Sequence, residues 1–495
     1  VNKITKILVA NRGEIAIRVM RTAKEMGIKT VAVYSEADKF AVHTRFADEA
    51  VLIGPAAASA SYLSMDKVIE AAKKTGADAI HPGYGFLSEN AVFAEKVADA
   101  GIIFIGPSTH AIQVMGDKIT SKQTVKSFNV PLVPGMDEPI KDVIAAKIVA
   151  DEIGYPVMIK ASAGGGGKGM RIVESPAHFE SQMERAQSEA RNSFGNDAVF
   201  VEKFISSPKH IEVQVLGDQH GNIVHLFERE CSVQRRHQKV VEEAPSALMT
   251  PEKRMEIGAA AVNVAKSCGY YGAGTVEFIA DEEFNFYFLE MNTRLQVEHP
   301  VTEQITGIDL VKEQILVAEG QPLRFQQSDI SHHGHSIEVR VYAEDPINNF
   351  LPDTGKLIRY KPPMGPGVRV DDCMEAGLEV SVFYDPMVAK LVTTGATRQE
   401  AISRMLRAID EYEIIGIKTT LPFCAFVLKH ENFLSGKFTT KFVEQFYKPE
   451  YLETPLSTEE REIAALVSTI DSKEPVASGH TTQTTSQSNW RQRAH

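Results

Sequence analysis

The first 105 residues alternate short apolar runs with amphipathic helical stretches, and that alternation admits few architectures. Lys6 to Ala10 reads as a strand, and Glu14 to Met26 as a helix with Ile15, Val19, Ala23 and Met26 on one stripe. Lys29 to Tyr34 is strand-like again, so the chain opens on a βαβ unit. A strand near Val51, a helix near Asp66 to Lys74, a strand at Ala77 to His81, a helix from about Glu89 to Ala100 and a strand at Ile102 to Ile105 extend the pattern. Strands joined by helices need crossovers, so the expected product is a parallel sheet with helices on its faces. The first turn, Asn11-Arg12-Gly13-Glu14, lacks G-x-G-x-x-G and leaves a dinucleotide site unsupported.

Beyond this unit the style changes. Residues 131 to 204 read as a compact α+β segment with a glycine-rich centre. Strands then alternate (His210 to Leu216, Asn222 to Glu228, Gly274 to Ile279, Phe286 to Met291) around a helix at Pro251 to Cys268. A third α+β block begins near Gly334, with a strand from Ser336 to Tyr342. The stretch from Val476 to His495, rich in Ser, Thr and Gln, reads as a disordered tail. A length of 495 residues suggests roughly three domains.

Composition narrows the function classes. With 53 basic against 65 acidic side chains the net charge is −12, which argues against nucleic acid or an anionic membrane as partner. No run of about 18 apolar residues appears, so no spanning helix is expected. The four cysteines, Cys231, Cys268, Cys373 and Cys424, are far apart and form no C-x-x-C pair. That spacing fits a reducing, cytoplasmic setting and gives no zinc framework.

Three stretches carry chemistry. In the first, two apolar strands flank Gly164, Gly165, Gly166 and Gly167, with Lys160 before them and Lys168 after. This is a hairpin tip and not a P-loop, because Gly169 stands where Ser or Thr is required. Backbone N–H groups free of Cβ can close over phosphate oxygens; a plain surface turn is the alternative. In the second, Gly274 to Ala280 and Asn285 to Met291 read as an antiparallel hairpin. If Asp281 pairs with Phe286, Glu277 falls opposite Glu290, with Asn292 on the same face. Like charges so placed destabilise a sheet, whereas two carboxylates and an amide oxygen suit a hard cation; a solvated face with the register shifted by one is the alternative. In the third, Arg294, Gln296 and Glu298 recur at every second residue, so an extended segment aims all three one way. A guanidinium, an amide and a carboxylate can hold a small oxyanion and take its proton; a solvated strand face is the alternative. Glu228 to Glu243 carries dense charge of both signs and reads either as a surface loop or as the floor of a phosphate site. His332, His333 and His335 read as a solvated linker.

At these residues the chain resembles the biotin carboxylase family of the ATP-grasp superfamily. The likeness is carried by Ala10 to Ala16, His81 to Asn90, Met115 to Lys118, the Gly164 loop, Gln234 to Lys239 and Glu290 to Pro300, and it runs from about residue 6 to 446. The resemblance implies an α/β and α+β molecule. A Rossmann-like pre-ATP-grasp domain (1–115) precedes an ATP-grasp domain (116–330, lid about 131–204), a C-terminal biotin carboxylase domain (331–447) and a tail (448–495). It implies ATP contacts from Lys118, Lys160, the glycine loop, Glu202, Lys203, Phe204, His210, Gln234 and His237. Magnesium or manganese would bind Glu277 and Glu290 with Asn292 nearby, and bicarbonate would bind Lys239, Arg294, Gln296 and Val297. Glu298 would be the base, and Tyr84 and Arg340 would adjoin biotin. The implied chemistry makes carboxyphosphate from bicarbonate and ATP, then carboxylates the ureido nitrogen of biotin.

The absence of Met-Lys-Met leads to the expectation that the biotin carrier and the carboxyltransferase are separate chains, and the family suggests a homodimer. Two rivals are another carboxyphosphate-forming ATP-grasp ligase of the carbamoyl-phosphate synthetase kind and a non-catalytic nucleotide-binding subunit. The segment Arg294 to Glu298 together with Arg340 speaks against the first. The full set of acids and lysines speaks against the second.

Overall fold

The computed structural model describes residues 3–136, 138–161, 170–194 and 197–452, with 459, 462–463 and 465–466. The glycine loop and the Ser/Thr/Gln tail lie outside the described residues. Residues 1–449 make one compact unit and 450–495 a second.

The N-terminal alternation produces a five-stranded parallel sheet, β1 (Lys6–Val9), β2 (Lys29–Ser35), β3 (Glu49–Gly54), β4 (Ala79–His81) and β5 (Ile103–Phe104), in the order β3-β2-β1-β4-β5. Its central strands are apolar on both faces because helices cover both. The helix Gly13–Glu25 buries Ile15, Val19 and Ala23 as its stripe requires. Its core runs on into a neighbouring layer, where Val9, Ile15 and Val19 join Leu216, Val224, Ala273 and Leu295.

The glycine-rich segment is a small layer of its own. Strands β6 (Val157–Ala161), β7 (Met170–Val173) and β8 (Val199–Lys203) pair in the order β7-β6-β8 under the helices Val143–Ile153 and Phe179–Phe194. Ala146, Ala150, Val157, Ile159, Phe179 and Val201 make its core.

The centre is one eight-stranded antiparallel sheet. Strands β9 (Lys209–Gly217), β10 (Ile223–Arg235), β11 (Gln238–Ala244), β12 (Gly272–Ala280), β13 (Phe286–Asn292), β14 (His335–Tyr342), β15 (Val368–Asp372) and β16 (Met387–Gly395) run in the order β13-β12-β9-β10-β11-β14-β16-β15. The C-terminal block therefore extends this sheet, and its only separate sheets among the described residues are short two-stranded ones. Val241 on β11 pairs with Val339 on β14, and the ladder passes straight through the expected boundary near residue 331. The charged stretch Glu228 to Glu243 is no loop. It forms β10 and β11, joined at Arg236 and His237, both with positive φ (49° and 68°), the geometry that a two-residue hairpin turn demands. The histidine linker also needs correction. His335 begins β14, is buried, and lies 2.7 Å from Glu243.

Candidate active site

The register of the central sheet brings charges into line. Glu290 on β13, Glu277 on β12, Glu212 on β9 and Arg229 on β10 are successive direct cross-strand partners and share one face. The expected hairpin needs one correction. Ala280, not Asp281, pairs with Phe286, and Asp281 N–H donates to Asn285 O at 3.0 Å. Leu289 is then an extra residue in β13, a bulge that shifts the ladder by one and returns Glu277 to Glu290.

Three acids in a row are tolerable only with cations between them. Lys239 Nζ, on β11, lies 2.5 Å from Glu212 Oε2, 3.0 Å from Glu277 Oε1 and 2.7 Å from Glu298 Oε1. Burial alone pushes a lysine's pKa down, but the three carboxylates outweigh it and keep Lys239 charged. Burial likewise pushes Glu277 upward, and Lys239 and His210, whose Nε2 is 3.1 Å away, hold it well below the carboxylate range. Glu290 is the exception: burial and then the Glu277 charge raise it, with Lys118 opposing. Glu277 thus holds its charge while a charge on Glu290 is opposed, a conflict that a cation between the two would relieve, and their oxygens are the hard donors that magnesium or manganese prefers.

Glu298 is 1% exposed and bridges two cations, Lys239 at Oε1 and Arg340 Nη2 at Oε2, 2.9 Å away. Burial raises its proton affinity, but Lys239, Arg340 and Arg229 together take it well below normal. Arg340 also gives Nε to Glu242 Oε1 at 2.6 Å. The segment before Glu298 is not the extended strand expected. It turns at Val297 and Glu298 to enter the helix His299–Thr306, yet Arg294, Gln296, Val297 and Glu298 all line one cleft of about 590 Å³. Helix entry does what alternation was expected to do. Gln296 is held at both ends, Oε1 accepting from Arg229 and Nε2 donating to Glu277.

The same cleft holds His210, Gln234, His237, Lys239, Glu277, Glu290, Asn292 and Arg340. Tyr84, in the loop after β4, is not among the residues that line this cleft. Asn11 Nδ2 donates to the carbonyls of Pro82 and Tyr84, and a Cβ on Gly83 would stand 2.9 Å from that nitrogen, so two distant motifs lock together. The Tyr84 hydroxyl bonds Glu14. Lys160 is placed differently: its Nζ bonds Glu202 Oε2 at 2.5 Å, and Lys122 takes Oε1. Lys203 bonds the Gly154 and Tyr155 carbonyls, and the Phe204 ring lies 5.9 Å from Lys441 Nζ. Sequence reasoning missed Glu212, held Arg229 and Glu242 only within the stretch read as a loop or a phosphate-site floor, and gave no role to Glu89, whose Oε2 takes Arg294 Nε at 2.8 Å. The register of β9 and β10 was the signal that could have found Glu212 and Arg229.

Comparison with known proteins fits this geometry. The family model for the biotin carboxylase N-terminal domain matches residues 3–112, that for the carbamoyl-phosphate synthase L chain ATP-binding domain 117–326, and that for the biotin carboxylase C-terminal domain 338–445. Biotin carboxylase 1 of Bacillus subtilis is 52% identical over 444 residues, 90% of this chain and 99% of that one. The chain belongs to the biotin carboxylase family. It is an ATP-grasp ligase with the three matched parts of that family in order. The mouse propionyl-CoA carboxylase alpha chain is 54% identical over 468 residues, and this chain spans 65% of its length. A solved dimer of the biotin carboxylase domain of Hydrogenobacter thermophilus 2-oxoglutarate carboxylase, in complex with MgADP, ADP and bicarbonate, superposes with a TM-score of 0.82. It is 50% identical and covers 92% of this chain and all of that one. Among the described residues no helix is long and apolar enough to cross a membrane.

Proposed function

We propose that this chain uses ATP to activate bicarbonate as carboxyphosphate and carboxylates biotin presented on a carrier protein. The observation that carries the reading is Glu298 clamped between Lys239 and Arg340, in the same cleft as the Glu277–Glu290 pair. The acid pair is a nucleotide-metal site, and the Arg294–Glu298 segment lining the same cleft offers the donors that a small oxyanion needs.

In this reading Lys118, Lys160, His210, Gln234, His237 and the glycine loop receive the phosphates, and Glu202 to Phe204 run along the adenine. Glu277 and Glu290, with Asn292 beside them, hold magnesium or manganese, which when bound offsets phosphate charge. Bicarbonate docks on Lys239, Arg294, Gln296 and the Val297 backbone. Its charge draws the field of Lys239 away from Glu298, which raises the carboxylate's proton affinity as the substrate arrives. Glu298 then takes the bicarbonate proton, and the freed oxygen attacks the γ-phosphate in line. Carboxyphosphate releases carbon dioxide and phosphate, phosphate removes the ureido proton, and Arg340 stabilises the oxyanion of biotin, with Tyr84 beside the ring.

A carrier and a carboxyltransferase are the implied partners, and the dimer of the Hydrogenobacter domain supports a homodimer. The carbamoyl-phosphate synthase likeness is confined to 117–326 and is flanked by two biotin carboxylase matches, which favours biotin as acceptor. ATP turnover measured with bicarbonate, with and without free biotin, tests the reading. Biotin-stimulated phosphate release supports it, and stimulation by ammonia in place of biotin overturns it.

A further inference from the structure

The charged face of the central sheet continues past Arg340, and there it carries a lysine with no exposed surface. Lys390 on β16 stands directly opposite Arg340 on β14 and opposite Asp371 on β15. Its side chain is 0% exposed. Its Nζ lies 3.1 Å from Glu14 Oε2, 3.6 Å from Asp371 Oδ2 and 3.1 Å from the carbonyl oxygen of Val297.

Two carboxylates are enough to keep an ammonium in a protein interior. The third partner is of another kind. Val297 immediately precedes Glu298, and Arg340, the cross-strand neighbour of Lys390, holds the Glu298 carboxylate. Adjacent cations on one sheet face therefore grip consecutive residues of one segment, the first by its carbonyl and the second by its side chain. Glu14 in turn accepts from the Tyr84 hydroxyl. A single ammonium ties the Val297–Glu298 turn to the loop that carries Tyr84.

We propose that Lys390 is a positioning residue for the carboxylation site, fixing the Val297 peptide and, through Glu14, the Tyr84 hydroxyl where bicarbonate and biotin are received. The proposal rests on the functional reading above. Burial pulls Lys390 toward the neutral amine, but Glu14 and Asp371 more than reverse that, so the donor stays an ammonium.

The test compares Lys390→Met with Lys390→Met/Glu14→Gln in the full chain with magnesium. The single variant leaves Glu14 short of its cation, whereas Asp371 keeps both of its bonds to Arg369. The double variant removes one charge of each sign, and its glutamine oxygen still accepts from Tyr84. ATP turnover is followed while bicarbonate, biotin and ATP are varied in turn, beside a thermal melt. In the double variant the melt returns close to wild type, KM for bicarbonate rises at least about tenfold and KM for ATP stays within about twofold. A purely structural lysine would lower kcat through the folded fraction and leave KM alone. A bicarbonate KM within twofold of wild type in the double variant overturns the proposal, as does failure of that balanced variant to fold. Wild-type protein without biotin-stimulated turnover overturns the parent reading first, and is seen before any variant is made.

Discussion

Arg340 divides its guanidinium between two buried acids, Nε to Glu242 at 2.6 Å and Nη2 to Glu298 at 2.9 Å. The acid proposed as base thus shares its cation with a second acid, Glu242, that is itself fully buried. Competition of this sort makes the site sensitive to substitutions on either side.

Glu298→Gln keeps the shape and loses the proton acceptor. Bicarbonate-dependent ATP turnover is expected to fall at least about 100-fold, while nucleotide affinity by calorimetry stays within about twofold of wild type. Unchanged turnover would remove Glu298 from the role of base.

Glu290→Gln removes one of two facing oxygens from the expected cation site. The magnesium concentration for half-maximal turnover is expected to rise about tenfold or more, with maximal rate at saturating metal less affected. Identical metal titrations would contradict a cation between Glu277 and Glu290.

Arg229 is fully buried and donates to Glu212, Gln214, Thr302, Thr275 and Gln296. Arg229→Met leaves Glu212 partly uncompensated and frees the Gln296 amide. A loss of about 3–5 kcal/mol is expected in urea unfolding, with weaker bicarbonate saturation in whatever remains folded. A loss below about 1 kcal/mol would show that Lys239 alone suffices for Glu212.

Burial pushes the Glu242 carboxyl up to about 7, Arg340 opposing it and the Glu298 charge adding to it. Glu338, its cross-strand partner, is also buried, has neither oxygen hydrogen-bonded, and is raised further by burial. A carboxyl raised in the folded state gives stability that is complete below its unfolded pKa and is lost as pH rises through about 7. The melting temperature should therefore fall between pH 5 and pH 8, and the fall should be smaller in Glu242→Gln. An equal fall in both proteins would place the titration elsewhere.

Much of this was readable in the chain. Local periodicity placed the N-terminal strands and helices, because each buries a face that its own spacing defines. The Glu277–Glu290 pairing was also readable, though the turn register was off by one residue. Leu289 bulges out and cancels the error, and nothing in the hairpin's residue pattern marks a bulge at that position. Continuity of the sheet into the C-terminal block was not readable. It depends on Val241 meeting Val339, a choice among partners about a hundred residues apart that no local pattern encodes. Arg229 and Glu212 stayed hidden for a related reason. Charges in β9 and β10 look solvated in sequence, and only cross-strand alignment shows that they neutralise one another in the interior.

Six neighbouring strands, from β13 to β14, carry the charged face that begins at Glu290 and passes through Arg340 toward Lys390. Side chains alternate in direction along a strand, so one inserted or deleted residue in any of the six, unless a bulge like that at Leu289 absorbs it, rotates that strand's contribution to the reverse side of the sheet. Length variation in descendants of this chain is thereby pushed into connecting loops, and the spacing within these strands behaves as a reading frame.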